Sequence, residues 1–163
     1  MRPGKTALLT FILSSFLLSK DLPLGSNIPM ASIKMEGING EKVSLSDVIM
    51  ENGLLVNFTC NTCPWVLRWQ DRYNDLAKAS KKNKIGYIAI NPNAGKRDGG
   101  ENMEDMKTFA AKYDHDFLYT LDKDAKLAKA FGARTTPHIY LFNGDGKLVY
   151  RGAIDDNAAK KRK

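Results

Sequence analysis

Thr59-Cys60-Asn61-Thr62-Cys63-Pro64 holds the only two cysteines among the 163 residues of the chain. It follows a short apolar run, Gly53-Leu54-Leu55-Val56-Asn57-Phe58, and opens an amphipathic segment reaching about Lys82. The run reads as a central strand, apolar almost throughout, as when both faces of a sheet are covered. The segment after it buries Val66, Trp69, Tyr73, Leu76, Ala77 and Ser80 at helical steps, with Arg68, Asp71, Arg72, Asp75 and Lys78 on the other side. The cysteines therefore stand at a strand-to-helix junction. Residues i and i+3 of a helix share a face, so the two sulfurs can meet in a disulfide without backbone movement. The unpartnered N–H groups of a helix start carry partial positive charge, which favours a thiolate on Cys60. Pro64 falls in the first turn, where a missing N–H costs little. A structural bridge or two packed thiols would use the same residues. Closing so short a loop stabilises little, however, and the placement at a helix start points to redox chemistry.

On the N-terminal side of this junction, Ile33 to Met35 and Lys42 to Leu45 read as short strands around Asn39-Gly40, a hairpin turn, and Ser46 to Met50 as one helical turn. Downstream, Ile85 to Ile90 is a second buried strand, followed by the turn Asn91-Pro92-Asn93-Ala94-Gly95 and a polar, Gly-rich loop from Lys96 to Gly100. Glu101 to Tyr113 has helical spacing, Phe117 to Leu121 is a short strand, and Asp124 to Phe131 a short helix stopped by Gly132. His138 to Phe142 and Lys147 to Arg151 flank Asn143-Gly144-Asp145-Gly146 as a terminal hairpin. Alternating strands and helices place a sheet between helical layers, and the antiparallel terminal hairpin makes that sheet mixed.

The formal charge of +7 is concentrated at the ends. Lys160-Lys161-Arg162-Lys163 supplies +4, and Arg2, Lys5 and Lys20 against Asp21 give +2, which leaves +1 for residues 26–159. A nucleic-acid reader carries its basic face on the folded domain, so this distribution argues against nucleic acid as a partner. Met1-Arg2-Pro3-Gly4-Lys5 followed by the apolar stretch Ala7 to Leu18 reads as an export leader, with cutting after Ser19 or after Gly25. The apolar stretch is short for a membrane span, so an uncleaved leader is the only expected route to a membrane. The domain reading is a leader over 1–25, one folded unit over 26–157 and a basic tail over 158–163.

Thr135-Thr136-Pro137-His138 enters the terminal hairpin. Proline at the start of a buried strand is uncommon, and a cis X–Pro bond there is normally retained for a purpose. With the Cys-x-x-Cys junction and the order of elements, it makes the chain resemble the thioredoxin superfamily. The narrower resemblance is to the thioredoxin-like redoxin branch associated with the alkyl hydroperoxide reductase/thiol-specific antioxidant (AhpC/TSA) family. It is carried by Cys60-Asn61-Thr62-Cys63-Pro64, Ile90-Asn91-Pro92-Asn93, Glu101-Asn102-Met103, Thr136-Pro137-His138 and Tyr150-Arg151-Gly152-Ala153-Ile154-Asp155-Asp156-Asn157.

The resemblance implies an α/β, thioredoxin-like three-layer α/β/α sandwich with a mixed central sheet, an N-terminal β-hairpin, a βα insertion and a missing final helix. It implies Cys60 as exposed nucleophile and Cys63 as resolving thiol. Pro137 would be a cis-proline beside the pair, and Thr136 would offer its backbone to an extended substrate segment. Asn57 stands where thioredoxins place a buried acid, and an amide cannot titrate; Thr59 stands where many relatives have tryptophan. The implied activity is thiol–disulfide exchange with protein thiols and disulfides as clients, without a cofactor.

Two rivals come from other chemistry. Peroxiredoxins use Pro-x-x-x-Thr-x-x-Cys; counting back from Cys60 gives Asn57 and Gly53, and from Cys63 gives Cys60 and Val56. Neither matches, which argues against a peroxidase. A soft metal such as copper would be held by Cys60 and Cys63 with His138 or His115 adding nitrogen, although one Cys-x-x-Cys without a second pair is a weak metal signature.

Overall fold

The computed structural model describes residues 21–157; the apolar stretch of the expected leader and the basic tail lie outside the described residues. Its frame is set by the apolar run before the cysteines. Gly53–Phe58 forms a strand buried at every residue. In chain order the strands are β1 (Met35–Gly37), β2 (Lys42–Val43), β3 (Gly53–Phe58), β4 (Gly86–Asn91), β5 (Leu118–Leu121), β6 (His138–Asn143) and β7 (Leu148–Gly152). They make one seven-stranded sheet in the order β2-β1-β5-β4-β3-β6-β7. β3 pairs parallel with β4 and antiparallel with β6, so Val56 faces Ile88 on one side and Tyr140 on the other. The sheet is mixed, as expected.

Alternation along β3 then builds two cores. Leu54, Val56 and Phe58 pack with Ile88, Ile90, Tyr140, Phe142, Leu127 and Phe131 on one face. Leu55 joins Ala89, Ile139, Val66, Tyr73, Met106 and Phe109 on the other. This is the period-two rule of a strand covered on both faces. Gly53 is required where it stands: its φ is +126°, and an added Cβ would lie 1.9 Å from the Phe142 carbonyl oxygen.

Among the described residues the α-helices are α1 (Leu45–Val48), α2 (Pro64–Trp69), α3 (Tyr73–Lys82), α4 (Met103–Lys112) and α5 (Lys126–Phe131). α1 is started by Ser44, whose N–H and hydroxyl both donate to the Asp47 carboxylate. α4 is started by Asn102, whose side chain accepts from the N–H groups of Glu104 and Asp105. α4 and β5 form the inserted unit, which puts β5 between β4 and the N-terminal hairpin.

The segment expected as one helix to Lys82 is three pieces, because a 3-10 turn over Gln70–Arg72 separates α2 from α3. Gln70 and Arg72 are buried, although Arg72 belongs to the polar face by periodicity. Turning the chain there lets Gln70 meet His115 and lets Arg72 reach Asp155 and the Asn157 carbonyl. Long-range polar partners override the helical repeat at this point. The Gly-rich loop likewise holds a 3-10 segment over Ala94–Gly99.

Residues 21–25, inside the expected leader, are tied to the domain. Leu22 donates its N–H to the Phe131 carbonyl, Gly25 donates to Leu148, and Asp21 is paired with Arg134 and Arg151. Beyond β7, residues 153–157 carry no helix, and the expectation about a closing helix otherwise lies outside the described residues. Among the described residues no helix is long and apolar enough to cross a membrane.

Candidate active site

Residues 59–63 bridge the end of β3 and the start of α2. Thr59 continues the strand pairing by donating its N–H to the Ile90 carbonyl, and its hydroxyl meets the Tyr73 hydroxyl at 3.0 Å. The chain then turns around a buried carboxylate. Glu101 is fully buried and accepts four hydrogen bonds. Its Oε2 takes the N–H of Asn61 at 2.9 Å and the amide of Asn91 at 2.7 Å; its Oε1 takes the N–H and the hydroxyl of Thr62 at 3.0 and 2.7 Å. Burial opposes its charge, but donation from Thr62, Asn61 and Asn91 outweighs burial and holds the carboxyl below its usual range.

These bonds relocate the helix start. The N–H groups of Asn61 and Thr62 serve Glu101, so α2 begins only at Pro64 and Cys63 is its N-cap residue. The sequence argument put the helix tip at Cys60; the tip belongs to Cys63. Burial works against a Cys63 thiolate, yet the amides of Val66 and Trp65, together with Thr136 and Cys60, lower its pKa overall. Cys60 goes the other way. It is fully buried rather than exposed, and desolvation, with the Glu101 charge adding to it, pushes its thiol up to about 11 against the help of Thr136. Cys63 is the partly exposed sulfur.

Both thiols are free and both reach one residue. Cys60 Sγ lies 3.1 Å from the Thr136 hydroxyl, and the Cys63 thiol donates to the Thr136 carbonyl at 3.3 Å. The Thr136–Pro137 peptide bond is cis. Cys60, Cys63, Thr136 and Pro137, singled out from the sequence, are thus brought together. Beside them runs a groove lined by Trp65, Trp69, Thr136, Pro137, Gly152 and Ala153. Trp65 is 53% exposed, packs on Trp69 with 6.2 Å between ring centroids, and carries the Arg68 guanidinium 4.8 Å over its ring.

Of the two histidines, His138 also lines this groove, next to Pro137, and His115 does not. His138 lies against the Tyr140 ring, with its Nδ1 3.4 Å from the Tyr140 hydroxyl. His115 sits among Tyr73, Phe109, Tyr113, Phe117 and Tyr119 and meets Gln70. Among the described residues no three His, Cys, Asp or Glu side chains are grouped as metal ligands.

Sequence reasoning gave no role to Glu101, Asn91, Tyr119 or Arg97. Tyr119 donates its hydroxyl to Asn61 Oδ1 at 2.8 Å, and Arg97 donates to Asn91 Oδ1 and to the carbonyls of Glu101, Asn91 and Asp122. The available signals were the motifs Ile90-Asn91-Pro92-Asn93 and Glu101-Asn102-Met103, quoted for the resemblance without a role, and Gly99-Gly100. Gly100 has φ +96°, and a Cβ there would lie 2.9 Å from Thr62 Cγ2, so glycine lets this loop close over the cysteine loop.

Comparison with known proteins bears on the fold. An uncharacterized conserved protein from Geobacillus kaustophilus is 33% identical, with a TM-score of 0.77 over 83% of this chain and 71% of its own. A thiol-disulfide oxidoreductase from Bacteroides fragilis is 23% identical, with a TM-score of 0.66 over 82% of this chain and 93% of its own. A secreted disulfide oxidoreductase from Mycobacterium tuberculosis shares the fold at 15% identity, with a TM-score of 0.63 over 79% and 87%. No curated protein matches the chain. The AhpC/TSA family model matches residues 24–151, most of the chain, and on that match the protein belongs to the AhpC/TSA family.

Proposed function

We propose that the protein is a thiol–disulfide oxidoreductase that exchanges electrons with protein disulfides through Cys60 and Cys63. The observation that carries this reading is the pair itself. Two free thiols of unlike acidity, one buried and one partly exposed, converge on Thr136 beside an apolar groove.

The two environments suggest an order of steps. Only a thiolate attacks a disulfide, and the amides at the start of α2 favour that state on Cys63. Cys63 thiolate attacks one sulfur of a client disulfide, forming a mixed disulfide and expelling the other client sulfur as a thiolate, which takes up a proton. Cys60 then loses its proton and attacks Cys63 Sγ. This breaks the mixed disulfide, frees the second client thiol and leaves a Cys60–Cys63 disulfide. Two electrons and two protons pass to the client; run backwards, the same steps oxidise a dithiol. The resemblance implied the opposite order, with Cys60 first; burial of Cys60 argues for Cys63. The client segment would lie in the groove along Thr136 and Pro137 against Trp65, which supplies orientation.

The test is reduction of insulin driven by dithiothreitol. The wild-type protein accelerates it, and Cys60→Ser and Cys63→Ser each abolish the acceleration; wild-type activity retained in both variants rejects the proposal. The reading of residues 1–25 as a leader further supports export of the domain. Fractionation of expressing cells checks that, with protein confined to the cytoplasm as the contrary result.

A further inference from the structure

α2 turns large apolar side chains to water next to the cysteine pair. Trp65 is 53% exposed and Leu67 46% exposed, both within the first turn after Cys63. A single exposed apolar residue needs no explanation, but Trp65 continues through Trp69, Pro137 and Ala153 as one groove. The groove holds about 450 Å³, the size of a ligand pocket, so a segment of another chain can enter it.

The charges at this groove are few. His138 is the one titratable residue of its lining, and burial lowers the pKa of that ring and favours its neutral form. Among the described residues two charged side chains contact the lining tryptophans. Asp155 accepts from the Trp69 indole, the Asn157 N–H and Arg72, so both its oxygens are used within the fold. Arg68 differs. It is exposed, and its guanidinium is stacked 4.8 Å over the Trp65 ring. Stacking uses the face of a guanidinium and leaves its edge N–H groups able to grip a carboxylate.

We propose that the Trp65–Arg68 pair selects clients: the groove takes an extended acidic peptide segment, with an apolar side chain against Trp65 and a carboxylate two residues along on Arg68. Side chains at i and i+2 of an extended segment point the same way, roughly 7 Å apart, which lets the carboxylate reach past the ring to the guanidinium. The apolar contact supplies affinity, and the ion pair at the exposed rim supplies choice among clients. The proposal rests on the exchange reading for one thing, that the segment belongs to a client disulfide; it holds whichever sulfur attacks first.

Peptides without cysteine test this apart from turnover. Three rhodamine-labelled peptides, identical except for a central Leu-x-Glu, Leu-x-Lys or Ser-x-Glu, are titrated with the reduced protein and followed by fluorescence anisotropy. The Leu-x-Glu peptide binds about tenfold tighter than Ser-x-Glu and about threefold tighter than Leu-x-Lys. Trp65→Ala abolishes the first preference. Arg68→Glu reverses the second while the thermal transition stays in place, and high salt cancels the second but not the first. Equal binding of the three peptides overturns the proposal, as does tighter binding of Leu-x-Lys by the wild type or a glutamate preference that survives Arg68→Glu. A wild-type dimer that Trp65→Ala separates also overturns it, by assigning the groove to a second copy of the chain. The two readings fail separately. Insulin reduction without these preferences leaves exchange standing and removes the selection; the preferences without insulin reduction remove exchange and leave a groove that reads peptides.

Discussion

Trp69 donates its indole N–H to the Asp155 carboxylate at 3.1 Å, which ties the helix starting at the cysteines to the residues just past the last strand. The other oxygen of Asp155 lies 3.1 Å from Arg72 Nε, and Arg72 also reaches the Asn157 carbonyl. One carboxylate thus anchors both the end of α2 and the 3-10 turn behind it. Asp155→Ala leaves the buried Arg72 without this partner, at a cost of about 2–3 kcal/mol. Thermal unfolding should shift down by roughly 4–10 °C, with the Trp69 emission moving to the red. An unchanged transition would show that the tail is not structural.

Alkylation order separates the two thiols. Cys63 is lowered by amides at the start of α2, and Cys60 is raised to about 11 by burial and the nearby Glu101 charge. Limited iodoacetamide at mildly alkaline pH, read by peptide mass, should label Cys63 well before Cys60. Prior labelling of Cys60 would reverse the assigned order of attack.

The pair was legible from its spacing, and β3 from its apolar run, because each signal is local. The cis Thr136–Pro137 bond beside the sulfurs was expected from the family resemblance, not from the strand-start proline alone. What the sequence hid was long-range. Glu101 lies forty residues beyond Asn61; the sequence set it at the start of a helical segment and in a family motif, and neither signal names the backbone it holds. Arg72 falls on the polar face of a regular helix, and partners supplied from far along the chain by Asp155 and the Asn157 carbonyl draw it inside. The helix start was misplaced by one turn for the same reason: two amides were claimed from far along the chain.

Acid should weaken the fold through His115. Burial among aromatic rings depresses its pKa to about 4 from an ordinary 6.5. The unfolded chain then binds a proton that the folded one refuses, so stability is complete above about pH 6.5 and is lost as pH falls toward 4. The loss is on the order of 1–3 kcal/mol, discounted for incomplete burial. Glu101, held below its usual range, adds a loss of the same sign at lower pH. Urea midpoints compared between neutral and mildly acidic pH measure this, and His115→Phe should flatten the dependence over the histidine window. A slope identical in the variant would contradict the assignment.

Peroxide should be a poor substrate. Neither cysteine has the threonine and proline of a peroxidatic loop, and the buried Cys60 thiol is largely protonated at neutral pH. Stopped-flow oxidation of the reduced protein by hydrogen peroxide should give second-order rates close to those of free cysteine. Rates several orders faster would mark a peroxidase.

Trapping of the mixed disulfide tests the exchange account most directly. Cys60→Ser removes the resolving sulfur, so incubation with a disulfide-bonded peptide should accumulate a covalent adduct that mass spectrometry places on Cys63. The wild-type protein under the same conditions should release free peptide thiol and hold a Cys60–Cys63 disulfide. No adduct on either single-cysteine variant, with the client disulfide left intact by the wild type, would contradict the account.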